Sequence, residues 1–412
     1  MNPLPKSTTQ VLLAKSELQD YGILAAVRAL NAAEYAPWIA TTEPGTYAAR
    51  SWAKAGTVSV TDPVLDSERF VCELAAVALR LSVAAVLPCT DSDLFALAGR
   101  EADFPGIALG VPPRKCVDLA TDKGLLPELA ATAGLRTPPT KKVVFGGGEA
   151  AVTIDLPAIV KPQRSWIRNP DGTMGGYCAR YVSTAQAIEE ALKALPNGVG
   201  LVQQYIPGPN VSVSGVSWGG ELICAVHHIS ERIWQLTTGV SAYAETIPPH
   251  AELEQGVSRL LREIGWSGLF EMEFKRSPRG EHYLIDLNPR IYGTLALASA
   301  AGLNLPGIWV DLLLNRQPKI ASYRVGTRLR VEEKDVRALL FMLVNDGERW
   351  RTLRGLVPHR GTSHAVFSLR DPMPSLTSLA KLLVWSRQHY RDSRSLPMRR
   401  ALAAAKQPSR VR

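Results

Sequence analysis

Two short runs near residue 280 alternate apolar and polar side chains. In Phe270-Glu271-Met272-Glu273-Phe274, an extended strand puts the apolar residues on one face and both carboxylates on the other. In Leu284-Ile285-Asp286-Leu287-Asn288, Asp286 and Asn288 share a face. A two-residue turn at Arg279–Gly280 sets Glu273 opposite Asp286 and Glu271 opposite Asn288, and paired residues point to one side of a sheet. Three carboxylates and an amide gather there, and the like charges repel one another unless a cation joins them. Oxygen donors without His or Cys suit magnesium, completed by phosphate oxygens. The same alternation also fits the solvent-facing side of an amphipathic hairpin.

Other residues could serve the same chemistry. Lys161 ends the apolar run Ala158-Ile159-Val160 and precedes Pro162, a place where an ammonium is poorly solvated unless it meets a charge. Asp122 reads as the N-cap of a helix over Asp122–Gly134, which Pro127 distorts, so that Lys123 projects from a helix start toward an anion. Asp171-Gly172-Thr173-Met174-Gly175-Gly176 can bring backbone N–H groups close to phosphate. His227 and His228 are adjacent in a strand, face opposite ways and are expected to be structural.

The elements that position these residues follow from periodicity. Val11–Ala14, Trp38–Thr41, Val58–Val60 and Val83–Leu87 read as strands, separated by helical patterns at Gly22–Leu30 and Glu68–Leu81. Asp91 or Ser92 is the expected cap of the next helix. Such alternation predicts a parallel sheet with helices on its faces. No G-x-G-x-x-G follows the first strand, which argues against a dinucleotide there. Further on, a helix is predicted over Ser183–Leu195 and a strand over Leu201–Ile206. Val211–Trp218 and Glu221–His227 form a hairpin around Gly219–Gly220, and Leu253–Ile264 is an amphipathic helix. Trp350, Leu353 and Phe367 suggest a packed C-terminal subdomain.

Glu273-Phe274 followed by Ile285-Asp286-Leu287-Asn288-Pro289-Arg290 is similar to the metal-binding end of ATP-grasp enzymes, the superfamily of D-alanine–D-alanine ligase, biotin carboxylase and carbamoyl phosphate synthetase. The resemblance implies that Glu273, Asp286 and Asn288 hold magnesium, with manganese as an alternative, against the phosphates of ATP, and that Arg290 faces the reacting phosphate. It implies that Lys123 and Lys161 are the nucleotide lysines and that Gly175 and Gly176 belong to the loop over the phosphates. Gln203, Gln204, Tyr205 and Ile206 resemble the hinge strand, where the backbone of Gln204 and Ile206 reads the adenine edge. Asn210 is the nearest substitute for the acidic ribose contact of the family, and Arg232 resembles an arginine near the transferred phosphate. Tyr292, Gly293 and Thr294 could line the acceptor pocket. The sequence departs from the pattern in Asp286 for Glu, in Gln203 and Gln204 where Glu is usual, and in lacking an acidic ribose contact.

The implied fold class is α/β and α+β multidomain. A Rossmann-like parallel-sheet domain over 1–112 precedes an ATP-grasp domain over 113–320, with a small lobe at about 113–203 and a large lobe at about 204–320. A C-terminal subdomain over 321–386 and a basic tail over 387–412 follow. The implied reaction activates a small-molecule carboxylate as an acyl phosphate for attack by an amine. A bicarbonate-phosphorylating enzyme and a non-catalytic ATP-binding module are the alternatives; no biotin-carrier or glutaminase segment is evident.

Composition bounds these readings. The 412 residues suggest two or three domains. The net charge of +9 would suggest nucleic acid, but the stretch from Arg387 to Arg412 carries +7 of it, which leaves +2 for the body. That tail reads as a solvated end, or as a weak contact for an anionic lipid or nucleic-acid surface. The apolar stretches Phe70–Cys89 and Leu297–Leu314 are interrupted by charged or polar residues and are not convincing membrane spans. Five scattered cysteines without C-x-x-C argue against structural zinc and disulfides. A cytoplasmic protein is expected, and a homodimer is compatible with the resemblance.

Overall fold

The computed structural model describes residues 9–15, 20–43, 45–145, 154–168, 174–195, 199–234, 239–345, 357 and 359–392. Strands β1 (Gln10–Lys15), β2 (Ala36–Thr41), β3 (Gly56–Ser59), β4 (Ala85–Pro88) and β5 (Ala108–Leu109) form a parallel sheet in the order β3-β2-β1-β4-β5. Val11, Leu12, Leu13 and Ala14 are all fully buried, as an unbroken apolar run covered on both faces should be. The expected α/β start is therefore present. One detail differs: the helix Asp91–Leu97 is capped by Thr90, whose hydroxyl and Asp93 form a capping box, so Asp91 lies in its first turn.

A four-stranded antiparallel sheet, in the order β10-β7-β11-β6, is built from β6 (Thr140–Val144), β7 (Ala158–Pro162), β10 (Arg180–Val182) and β11 (Val199–Gln204). Beside it, β8 (Trp166–Arg168) and β9 (Met174–Gly176) make a small hairpin. The helix Ala185–Lys193, capped by Thr184, packs Ile188, Ala191 and Leu192 against Ala158, Val160 and Val202 in a core of its own.

The third sheet has seven strands in the order β16-β15-β12-β13-β14-β17-β18. These are β12 (Asn210–Trp218), β13 (Glu221–Trp234), β14 (Val240–Thr246), β15 (Gly268–Arg276), β16 (His282–Asn288), β17 (Arg328–Arg330) and β18 (Ser363–His364). The apolar face of β15, with Phe270, Met272 and Phe274, shares a core with Leu253, Val257, Leu260 and Leu261 of the helix Ala251–Ile264. That core also takes in Leu12, Ala14 and Val86 of the parallel sheet, so the first and third sheets are packed into one body, whereas the second has separate support. Val117, Leu126 and Leu135 belong to the joint core as well, and the C-terminal strands β17 and β18 extend the third sheet.

No single helix among the described residues is long and apolar enough to cross a membrane. The apolar stretch near 297–314 is a pair of helices, Leu295–Ala301 and Leu305–Leu313, bent by 96° and largely buried in the core. All five cysteines are free. Trp350, Leu353 and residues 393–412 of the basic tail lie outside the described residues; the helix Pro372–Asp392 leads up to the latter.

Candidate functional site

The register of β15 with β16 pairs Glu273 with Asp286 and Glu271 with Asn288, as the alternation requires. The expected two-residue turn is not how this is reached. Arg276 pairs with His282, leaving a five-residue connection, and a bulge at Ile285 restores the phase. The polar face then continues across the sheet: Asp286, Glu273, Ser212 and His228 are successive cross-strand neighbours on β16, β15, β12 and β13. Ser212 is a small residue between a carboxylate and an imidazole, which leaves room above the sheet.

These residues form the floor of a cleft of about 480 Å³. The second sheet closes it from above with Lys161, Gln203, Gln204 and Gly176, and the loop with Lys123 closes one end. Lys161 is buried, and its Nζ donates to the carbonyl that the bulge turns outward at Ile285, at 2.8 Å. Burial lowers its pKa to about 8, while Asp286 pulls the other way. Lys123 forms an ion pair with the Asp286 carboxylate. Burial alone would raise the Asp286 pKa, but Lys123 and Lys161 hold it below the usual carboxylate value.

Asn288 links the other two acids, donating from Nδ2 to Glu273 at 2.8 Å and to Glu271 at 3.3 Å. Burial raises the pKa of Glu271 to about 8, assisted by the Glu273 charge, and burial with the Asp286 charge raises that of Glu273. Buried carboxylates that resist ionisation this way are short of positive charge, and an oxygen-only donor set of this kind fits a magnesium ion. Among the described residues no three His, Cys, Asp or Glu side chains could hold a metal by themselves, so the remaining ligands would have to be phosphate oxygens or water.

Arg290 lies beside this set. It donates to Asn288 Oδ1 at 3.3 Å and to the Ile291 carbonyl at 2.9 Å, and pairs with Asp91 at 3.1 Å. Asp91 and Tyr21 bring the first sheet's unit to the cleft wall. Gly22 makes this approach possible, because a Cβ there would sit 2.2 Å from the Tyr292 carbonyl oxygen. Tyr292, Gly293 and Thr294 also line the wall, and Thr294 donates to Glu271 at 3.0 Å.

Several expectations need correction. Asp122 does not open a helix. It ends the helix Arg114–Thr121 in an extended conformation, accepts from the Gly124 N–H at 2.9 Å and from Gln163, and the next helix is Leu126–Thr132. The local turn made by the aspartate side chain competes with a helix cap and wins here. Pro127 sits in the first turn of the following helix, where it is tolerated, and does not distort one. Arg232 does not line the cleft: it pairs with the fully buried Asp335 at 2.6 Å and stacks 4.3 Å from the centre of the Tyr243 ring. The N–H of Gln204 donates to the Pro139 carbonyl at 2.9 Å. Gln203, Gln204, Tyr205, Ile206 and Asn210 all line the cleft, and the buried Asn210 Oδ1 has no hydrogen-bond partner among the described residues. Gly175 and Gly176 belong to the β8–β9 hairpin, while residues 169–173 lie outside the described residues.

Lys275 and His228 are cleft residues that sequence reasoning left unassigned or took as structural. The signal for Lys275 was available, since it follows Glu271 and Glu273 at period two. Its Nζ donates to the Gly208 carbonyl at 3.1 Å. His228 is buried with Nε2 3.4 Å from Thr294 Oγ1, and burial lowers its pKa to about 4. His227 faces away and meets Glu254 at 3.0 Å.

The family described as "ATP-grasp in the biosynthetic pathway with Ter operon" matches residues 199–335. The chain is 25% identical over 367 residues to the 2-oxoglutarate carboxylase small subunit of Hydrogenobacter thermophilus, covering 80% of this chain and 72% of that one. It is similar to the crystal structure of L-amino acid ligase from Bacillus licheniformis, with a TM-score of 0.57, 15% identity and 76% of each chain covered. It is also similar to the biotin carboxylase domain dimer of Hydrogenobacter thermophilus 2-oxoglutarate carboxylase, solved with MgADP, ADP and bicarbonate. There the TM-score is 0.58 with 17% identity, over 78% of this chain and 73% of that one.

Proposed function

We propose that the chain, which is similar to ATP-grasp enzymes in fold and over residues 199–335, is an ATP- and magnesium-dependent ligase that activates a carboxylate as an acyl phosphate for attack by an amine. The observation that carries this reading is the convergence, in one cleft, of Lys161 and Lys123 with Glu273, Asp286 and Asn288.

In this reading ATP lies between the second and third sheets. Lys123 and Lys161 steady its phosphates, Gly175 and Gly176 approach them from the β8–β9 hairpin, and Gln203, Gln204, Tyr205, Ile206 and Asn210 surround the nucleoside. Glu273, Asp286 and Asn288 would hold the magnesium ions. When bound, magnesium supplies positive charge to the phosphates and polarises the group being transferred. Arg290 adds charge beside Asn288, held in place by Asp91. Transfer of the γ-phosphoryl group to a substrate carboxylate gives an acyl phosphate and ADP. The amine then displaces phosphate and forms the C–N bond. The chain's contribution is positioning and electrostatic stabilisation in a partly enclosed cleft. Its partners are small carboxylates and amines, with the cytoplasm as setting and a homodimer as assembly.

ADP release by the purified full chain over a matrix of carboxylates and amines tests the proposal, with Glu273→Ala and Lys161→Ala as controls. Release that depends on both a carboxylate and an amine, and that is lost in both variants, is expected. Activity that survives in both variants would overturn the site assignment. The similarity to a 2-oxoglutarate carboxylase subunit favours a second reading, phosphorylation of bicarbonate, which bicarbonate-dependent ATP turnover without an amine would support.

A further inference from the structure

The helix Glu332–Asn345 begins at the cleft wall with four charged residues in succession. Three of them are committed to the fold. Glu332 accepts from the backbone N–H groups of Val366 and Phe367, at 3.2 and 2.8 Å. Glu333 accepts from the hydroxyls of Tyr21 and Tyr47, both at 2.7 Å, and pairs with Arg337. Asp335 pairs with Arg232 and Arg330. Lys334 has no hydrogen bond or ion pair among the described residues, and it lines the cleft with Tyr21, Asp91 and Arg290.

The acids of the cleft are already engaged: Asp91 with Arg290, Asp286 with Lys123, and Glu271 and Glu273 with Asn288. The attractive neighbour of Lys334 is Glu333, whose carboxylate is already shared by two hydroxyls and Arg337, so this half-buried ammonium keeps its hydrogen-bonding capacity for an anion in the cleft. Its position is firm, since the neighbouring Glu333 is tied to Tyr21, which lines the same wall. The triphosphate has its own cations at the β15–β16 end, in Lys123 and Lys161. Lys334 comes from a different wall, formed with the first sheet's unit.

We propose that Lys334 anchors a carboxylate that does not react, so that one of the two substrates carries a carboxylate beyond those the chemistry needs: a dicarboxylate as donor or an amino acid as acceptor. This rests on the ligase reading above.

Paired probes separate the two sources: glutarate against butyrate as donors, and L-alanine against ethylamine as acceptors. The full chain, Lys334→Met and Lys334→Arg are compared in ADP release, and in calorimetric binding of each probe to protein loaded with magnesium and a non-hydrolysable ATP analogue. In one pair, Lys334→Met is expected to raise KM or Kd roughly 10- to 100-fold for the carboxylate-bearing member and to leave its partner within about 2-fold. Lys334→Arg should restore most of the loss, and MgATP affinity should not change. Equal effects on both members of each pair, no effect on either, or weakened MgATP binding in Lys334→Met would overturn the inference. Absence of ADP release with every substrate would sink the ligase reading alone. Calorimetry then decides the inference: probe binding lost in Lys334→Met upholds it, and binding that is unaffected or undetectable in the unaltered chain overturns it.

Discussion

The Lys123 ammonium is bonded to the carboxylate of Asp286, so the residues proposed for neighbouring parts of one ligand also hold each other. On the proposed assignment, nucleotide and metal would compete with an internal ion pair. Removing Lys123 should move two affinities in opposite directions. Lys123→Ala is expected to weaken MgATP binding by roughly 10- to 100-fold, and to strengthen binding of manganese alone several-fold, about 1 kcal/mol, by releasing Asp286. Calorimetry with MgATP and paramagnetic titration with manganese would measure the two; a loss in both would refute the exchange.

Lys161 is buried without a carboxylate partner of its own, and its pKa of about 8 lies below the ordinary 10.5. Between those values the unfolded chain binds more protons at this site than the folded one, so stability rises with pH across that window and the full penalty stands below pH 8. Lys161→Met should thus stabilise the nucleotide-free protein by ~2–3 kcal/mol at pH 7, with the advantage shrinking as pH approaches 10. The same variant should lose the thermal stabilisation that MgATP confers. Denaturant unfolding at several pH values, with and without MgATP, checks both.

Asp335 is fully buried between Arg232 and Arg330. Asp335→Ala would strand two guanidinium groups and should cost about 3–5 kcal/mol in stability. If Arg232 is structural, as its contacts indicate, Arg232→Met should lower the melting temperature while changing kcat for ADP release less than about 10-fold. A fall of about 100-fold or more would return Arg232 to the reacting phosphate.

Gly22 touches the backbone of Tyr292, and a methyl group there has no room. Gly22→Ala should cost roughly 1–3 kcal/mol and push the helix Tyr21–Ala32 away from the cleft wall. Substrate KM should rise with MgATP affinity little changed, which initial-rate kinetics would reveal.

Much of this site could be read in advance wherever it depended on period two. Strand alternation alone put Glu271 with Glu273 and Asp286 with Asn288, and the paired register, which depends on the bulge at Ile285, brings the two pairs to one face. The bulge at Ile285 had no local signature, because an extra apolar residue in an apolar-rich strand leaves the pattern intact. Asp122 misled because a side chain that can cap a helix can equally close a turn onto Gly124, and the partner that decides, Gln163, is about forty residues away. Tyr21, Asp91 and Lys334 reach the cleft through packing between units distant in sequence, which no window of neighbouring residues encodes.

The bulged carbonyl of Ile285 gives Lys161 a neutral berth. Such an acceptor satisfies the ammonium's geometry without cancelling its charge, whereas Asp286 quenches that of Lys123. An arriving polyanion would therefore be drawn first by Lys161, and Lys123 would follow once its carboxylate had found another cation. One additional residue in a strand thus leaves the two lysines unequally neutralised, and on the proposed assignment it would give their engagement an order.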